Sequence, residues 1–306
     1  MNINGITIDD TFAEAFNMRA TRVIITALNL KWAYHAANAM TGFATSVIGC
    51  GVEAGIEREL SADETPDGRV GVSVLLFAMG SKVLMQQLET RMGQCILTCP
   101  SAAAFAGIEP EEGLVVDQIN LGAHLRYFGD GFQTSKLISG KRYWRIPVMD
   151  GEFLVQESTG MVRAIGGGNF LILATSQEAA LNAAETAIEA MKKIPNVIMP
   201  FPGGVVRSGS KVGSKYPKMF ASTNDVFCPT LKGLTKTELT DDIESVLEIV
   251  IDGLSFEDIA QAMKVGIEAI CALGEQSGVK RISAGNYGRK LGPHHFKLRE
   301  ILKDHT

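Results

Sequence analysis

The sequence predicts an α+β protein made of two related ferredoxin-like (βαββαβ) lobes with long loop insertions. Three observations carry that prediction: a strand–helix–strand order that occurs four times, helix stripes of period 3.6, and two long interruptions rich in turn residues. At 306 residues, with 46% hydrophobic and 21% charged positions, the chain can bury a full core in one large or two ordinary domains. The expected division is residues 1–150 for an N-terminal lobe with its connecting segment, and 151–306 for a C-terminal lobe carrying an insertion over 200–245.

The first unit reads as strand TRVIITA, a helix from Asn29 to Met40 and strand TSVIG. The second repeats the order with VGVSVLLFA, a helix from Ser81 to Met92 and QCILTC, and residues 100–166 then join the halves. The third unit has NFLILA, a helix from Ser176 to Lys193 and NVIMPF. After an interruption the fourth has VLEIVID, a helix from Ser255 to Leu273 and VKRISA. Leu181, Ala184, Ile188 and Met191 share one helix face, as do Ile259, Met263, Ile267 and Ile270. Ser176 and Ser255 are the expected N-caps, with Glu178 in one first turn and Glu257 and Asp258 in the other, where the helix dipole favours carboxylates. Two consecutive βαβ units with a short return give βαββαβ, which buries one sheet face under two helices.

The interruptions draw attention because loops longer than about 12–15 residues without regular structure are uncommon unless functional or disordered. One runs from Gly49 to Arg69, with a turn at Pro66, Asp67 and Gly68. The other runs from Pro200 to Ser245 and contains PFPGGVVRSGSKVGSK and ASTNDVFCPTLKGL. Gly203 and Gly204 let main chain approach a ligand. Phe201, Ser210, Ser222, Thr223 and Asn224 offer contacts, and Arg207, Lys211 and Lys215 favour an anionic guest. A flexible Gly/Ser linker is the other reading of the same stretch. Two more segments, IGGGNFLILA around Asn169 and ISAGNYGRKLG around Gly285 and Asn286, again set an asparagine among glycines beside a strand. All three loops are expected to converge on one site.

Gly49, Gly51 and Ala54 fit G-x-G-x-x-A, but the charged sequence after Ile56 reaches Pro66 without the helix a dinucleotide site needs. GVVRSGSK has Walker-like glycine spacing with Ser-Lys where Lys-Ser/Thr is required. Five cysteines without a CxxC pair and two adjacent histidines, His294 and His295, give no ligand set, so no metal is expected. Cys228 reads as a nucleophile or a buried thiol, and Asp9 and Asp10 as a solvated or capping pair. A net charge of −5 argues against a nucleic-acid surface. MNINGITIDD lacks a signal pattern and no apolar run approaches about 18–20 residues, so a cytoplasmic protein is expected. Glu248 interrupts the apolar run of Val246, Leu247, Ile249, Val250 and Ile251 on a predicted strand. Either that strand face meets water, or burial lifts the carboxyl toward neutrality, where it can donate and accept protons.

The segments INGITIDDTFAEAF, TGFATSVIGCGVEAGIE, ETPDGRVGV, FGDGF, GGNFLILA, PFPGGVVRSGSKVGSK, STNDVFCPTL and ISAGNYGRKLG occur in the order found in formylmethanofuran:tetrahydromethanopterin formyltransferases, and from Asn4 to Leu298 the chain resembles that family. The resemblance implies reversible formyl transfer between formylmethanofuran, or a methylofuran equivalent, and N5 of tetrahydromethanopterin. Both carriers are then substrates, with no resident cofactor. It implies a homotetramer, and Glu248 in VLEIVIDGL as the catalytic acid, with Asn169 or Asn286 amides and glycine-loop N–H groups stabilising charge. The chain departs from the family pattern at GCG (Gly49–Gly51) and at Arg289, where glycine is usual. GCG looks closer to methylotrophic bacteria, where the transferase joins a formyltransferase/hydrolase complex that releases formate. Arg289 leaves the donor's tail open. A noncatalytic pterin-binding assembly protein is the remaining alternative.

Overall fold

The computed structural model describes residues 1–109 and 113–303. A small hairpin, β1 (Asn2–Ile3) and β2 (Ile6–Ile8), precedes the long β3 (Phe12–Thr26), α1 (Leu30–Thr41) and the single turn α2 (Val47–Cys50). β4 (Glu53–Leu60), β5 (Gly71–Ala78), α3 (Ser81–Arg91) and β6 (Ala103–Ala106) complete the first lobe. β7 (Val115–Asn120), α4 (Gly122–Leu125), β8 (Thr134–Ile138), β9 (Lys141–Val148) and β10 (Gly151–Gln156) lead to β11 (Ser158–Ala174). The second lobe continues with α5 (Gln177–Met191) and β12 (Val197–Ile198), then a separate hairpin of β13 (Ser210–Val212) and β14 (Ala221–Thr223). It ends with β15 (Ser245–Gly253), α6 (Phe256–Ala272), β16 (Val279–Ser283), β17 (His294–Lys297) and α7 (Leu298–Ile301).

Each lobe has the predicted ferredoxin-like topology. Strand order is β6-β3-β5-β4 in the first and β16-β11-β15-β12 in the second, antiparallel throughout, so in both the first strand lies between the fourth and the third. The lobes are not merely tethered. The N-terminal half of β3 pairs with β11, Phe16–Ala20 against Val162–Gly166, so one sheet runs through both. Residue 150 lies in the turn of the β9–β10 hairpin, and β10 pairs with β6 of the first lobe.

The helices start where the sequence marks them: the hydroxyl oxygen of Ser176 accepts from the Ala179 N–H at 3.1 Å, and that of Ser255 from the Asp258 N–H at 3.0 Å. Two expected strands take other forms. TSVIG forms α2 instead, its start held by Ser46 and by the Glu53 carboxylate, which accepts from the Val47 N–H at 3.0 Å. QCILTC continues α3 through a π-turn over Met92–Ile96 that buries both of those residues, and the fourth strand of the lobe is AAFA of β6. Short apolar runs of this kind are ambiguous by period, and packing decides them.

Two cores lie under the helices. Ile249 and Ile251 of β15 and Ile172 of β11 pack among Ala184, Ile188, Met263 and Ile267 of α5 and α6. Period two sends the alternate residues of β11 and β15 to the opposite face. There Leu171, Leu173 and Val246 lie under Phe227, Leu239 and Ile243 of the 200–245 insertion. The insertion is therefore a cover for the second lobe's open sheet face. At the junction, Asp252 of β15 is fully buried and accepts from the Gly167 N–H at 3.0 Å. Burial first, then the charge and hydrogen bond of Glu53 from the other lobe, pushes its carboxyl well up.

Candidate active site

Two cavities open between the second lobe's sheet and its cover, one of 980 Å³ and one of 640 Å³. Both are lined by Leu171, Asn224, Phe227 and Glu248, so these residues form a shared wall. Glu248 sits mid-strand on β15, opposite Leu171 of β11. Its main chain exchanges hydrogen bonds with Val206 at 2.7 and 2.9 Å, fastening the glycine-rich loop beside it. Burial pushes its carboxyl up to about 7. The strand face at Glu248 thus meets a cavity wall and not open water.

The larger cavity takes Phe201, Arg207 and Thr223 from the sequence-predicted set, and the smaller takes Asn169, Ser210, Lys211, Gly285 and Asn286. With Glu248 and Asn224, ten of the predicted positions come together. Arg207 is exposed at the rim of the larger cavity. Lys211 is held by Asp225, whose carboxyl it keeps low. Cys228, half-buried, lines the larger cavity with its sulfur 3.3 Å from the Thr223 hydroxyl.

Four expectations fail on position. Gly203 and Gly204 line neither cavity at Glu248; they line a 460 Å³ groove on the far side of Phe201. Gly204 has φ +84° and a Cβ there would lie 2.4 Å from Ile188, so the residue serves a turn packed on α5. Lys215 and Ser222 also line neither cavity. Ser222 donates to the Gly213 carbonyl within the β13–β14 hairpin.

Two expectations fail on chemistry. Asn169 gives both amide protons to the carbonyls of Gly167 and Gly285 and accepts the Gly285 N–H at 2.6 Å. It clasps two glycine loops together. Asn286 donates to the Thr11 hydroxyl and the Phe12 carbonyl, each at 3.2 Å. Neither side chain has an amide proton left for a developing oxyanion.

Sequence reasoning missed Tyr287, Arg281 and Arg299, which line the smaller cavity with Glu248. Burial, then the charges of Glu248 and Glu14, raises the Tyr287 phenol. Asp9 and Asp10, read as solvated or capping, line that cavity and pair with Arg281 and Arg299 at 3.4 Å, and Asp10, 81% exposed, is solvated as well. Tyr287 was within reach of sequence reading, since it stands in the singled-out GNYG. The two arginines carry no local signal. Arg289 lines neither cavity; it has φ +64° and lies over the Phe12 ring at 5.3 Å, and the left-handed backbone accounts for glycine as the usual residue.

A family model described as formylmethanofuran-tetrahydromethanopterin formyltransferase matches residues 1–148, and the model for the proximal lobe of that enzyme matches 151–301. A relative from Methylobacillus flagellatus with the same descriptive name is 73% identical over 305 residues, covering 99% of this chain and 100% of the relative. One of the subunits of the Methylorubrum extorquens formyltransferase/hydrolase complex is 53% identical, covering 98% of this chain and 97% of its own length. Among solved structures, the Methylorubrum extorquens formyltransferase/hydrolase complex with methylofuran superposes with a TM-score of 0.95 at 52% identity, covering 99% of each chain. The Methanosarcina barkeri formyltransferase gives 0.92 at 48%, covering 98% of this chain and 100% of the other.

Proposed function

The chain belongs to the formylmethanofuran-tetrahydromethanopterin formyltransferase family, and from that premise we propose that Glu248 carries a formyl group's transfer between two carriers seated in the two cavities. The protein is an acyltransferase of one-carbon metabolism. It moves formyl reversibly between formylmethanofuran, or methylofuran, and N5 of tetrahydromethanopterin, both as substrates. The observation that supports the site assignment is the shared wall: one carboxyl faces both cavities, and among the described residues nothing else ionisable does so.

N5 of the pterin attacks the formamide carbon and a tetrahedral oxyanion forms. As the carbon–nitrogen bond to the furan carrier breaks, the leaving amine takes a proton. A neutral Glu248 gives that proton, and its carboxylate then takes one from N5, so the enzyme ends as it began. With the asparagine amides committed elsewhere, the oxyanion falls to the Tyr287 phenol, which lines the smaller cavity with Glu248 and feels its charge. The anionic tails of both carriers meet Arg207 at one cavity and Arg281 and Arg299 at the other. The purified chain, given formylmethanofuran and tetrahydromethanopterin, is expected to yield N5-formyl product without any partner. A folded chain that binds both carriers and transfers nothing would instead support a protein that depends on hydrolase partners, or a noncatalytic one.

Of the apolar residues in the 200–245 insertion, Val206 is buried within the chain and Phe201 and Val205 line the larger cavity. Phe220 (85% exposed) and Met219 stay on the surface with Tyr216 and Val212, a cluster on the hairpin beside the site. Apolar patches of this kind mark interfaces. We read the working unit as a homotetramer or, after the relative from Methylorubrum extorquens, a formyltransferase/hydrolase assembly. Light scattering at micromolar concentration is expected to give about four times the chain mass of 32.9 kDa, and a monomer would refute this. Among the described residues no helix is long and apolar enough to cross a membrane.

A further inference from the structure

Glu14 lies in β3, 1% exposed, far in sequence from the catalytic strand. Its carboxylate accepts four main-chain N–H groups from one loop. Tyr287 and Arg289 donate to Oε2 at 2.8 and 2.9 Å, and Leu291 and Gly292 to Oε1 at 2.6 and 2.8 Å. A carboxylate has about four lone-pair positions, and here all are filled. Burial works to raise this acid, yet the four N–H groups overcome it and hold it at about 2.

The loop it grips has no regular secondary structure between β16 and β17. Gly288 and Arg289 take left-handed φ of +68° and +64°, turning successive N–H groups inward. Gly292 approaches β3 so closely that a Cβ would lie 2.2 Å from the Ala15 carbonyl oxygen. The loop's outer side presents Tyr287, whose ring packs on Phe16 at 6.1 Å and which lines the smaller cavity with Glu248. An anion-binding loop has been filled by the protein's own carboxylate.

We propose that Glu14 is a positioning residue for formyl transfer: as a carboxylate it fixes the 287–292 loop in the conformation that holds Tyr287 beside Glu248. This rests on the formyltransferase reading of the site. Glu14→Gln puts an NH₂ where two N–H groups donate, so two of the four bonds are lost whichever way the amide turns.

The test is a double-mutant cycle of Glu14→Gln and Tyr287→Phe in the full chain, read by kcat and KM, with amide hydrogen exchange across 285–292. Glu14→Gln is expected to lower kcat by about 10²-fold with KM nearly unchanged, on the scale of small misplacements in a site. Tyr287→Phe alone is expected to lower kcat by about tenfold, as for one lost hydrogen bond, and to add less than about twofold in the Gln background. Additive losses would overturn the proposal. Should Glu14→Gln fail to fold, the unaltered protein still decides: the amides of Tyr287, Arg289, Leu291 and Gly292 must exchange slowly, and rapid exchange overturns the clamp. An inactive wild type with protected amides would instead strike the formyltransferase reading and leave the clamp standing.

Discussion

Glu248→Gln is expected to lower turnover by about 10² or more while leaving KM for both carriers close to wild type. The substitution keeps shape and neutrality, because the carboxyl at the cavity wall, at about 7, is largely protonated in mildly acidic solution. What the amide cannot do is release a proton to the leaving amine or receive one from N5. Loss confined to kcat marks an interaction made in the transition state. The pH dependence follows from the same value: the donating form is neutral, so the wild-type rate should fall as pH rises through about 7, and that limb should vanish in the variant. Stability moves the same way. A carboxyl raised in the folded state stabilises the fold fully below its unfolded value, near 4.5, and this contribution is lost as pH rises through about 7. Above that pH the Gln variant should be the more stable protein, by up to about 3 kcal/mol before screening by solvent at the cavity wall. Turnover equal to wild type would remove Glu248 from the chemistry.

The parts legible in the sequence are those with a strong local rule. Helix caps at Ser176 and Ser255, the stripes of α5 and α6 and the lone carboxylate in β15 all rest on neighbours within a few residues, and the structure keeps them. TSVIG and QCILTC failed because two to four apolar residues suit a strand or a helical turn equally, and Glu53 and the end of α3 decided between them. At the site, glycine-rich loops were found, but the work of their residues was not. Gly204 gives room to Ile188, and Asn169 ties Gly167 to Gly285, both contacts with groups distant in sequence or on another element. Glu14 and Tyr287 are 273 positions apart, and no spacing rule reaches that far.

Removing Glu57 is expected to have the largest effect on stability, about 3–5 kcal/mol for Glu57→Ala, seen as a lowered unfolding midpoint. Its carboxylate, 3% exposed on β4, takes two bonds from Arg22 of β3 at 2.8 Å, one from the Ser73 hydroxyl at 2.7 Å and one from the Asn196 N–H at 2.8 Å. Arg22 also donates to the Asn196 side chain at 2.7 Å, and Asn196 to Asp258 at 3.3 Å. Without Glu57 the guanidinium keeps its burial and loses its counter-charge, the costly half of a broken buried pair. Replacing both partners, Arg22→Met with Glu57→Leu, should therefore recover most of the loss. Burial acts to raise Glu57, and the hydrogen bonds and charge of Arg22, with Ser73 and Asn196, bring it below the usual value. A depressed carboxylate gives stability that is present above the unfolded value and lost as pH falls through the folded one, so the gap between wild type and Glu57→Gln should narrow on acidification. Asn196, held at φ +67°, begins the passage through β12 to Phe201 and Arg207, so this first-lobe acid also aims a wall of the second lobe's cavity. Glu57→Gln should then raise KM for a carrier more than it lowers kcat, the reverse of Glu248→Gln. A variant destabilised by the expected amount with KM untouched would separate the interlobe tie from the site.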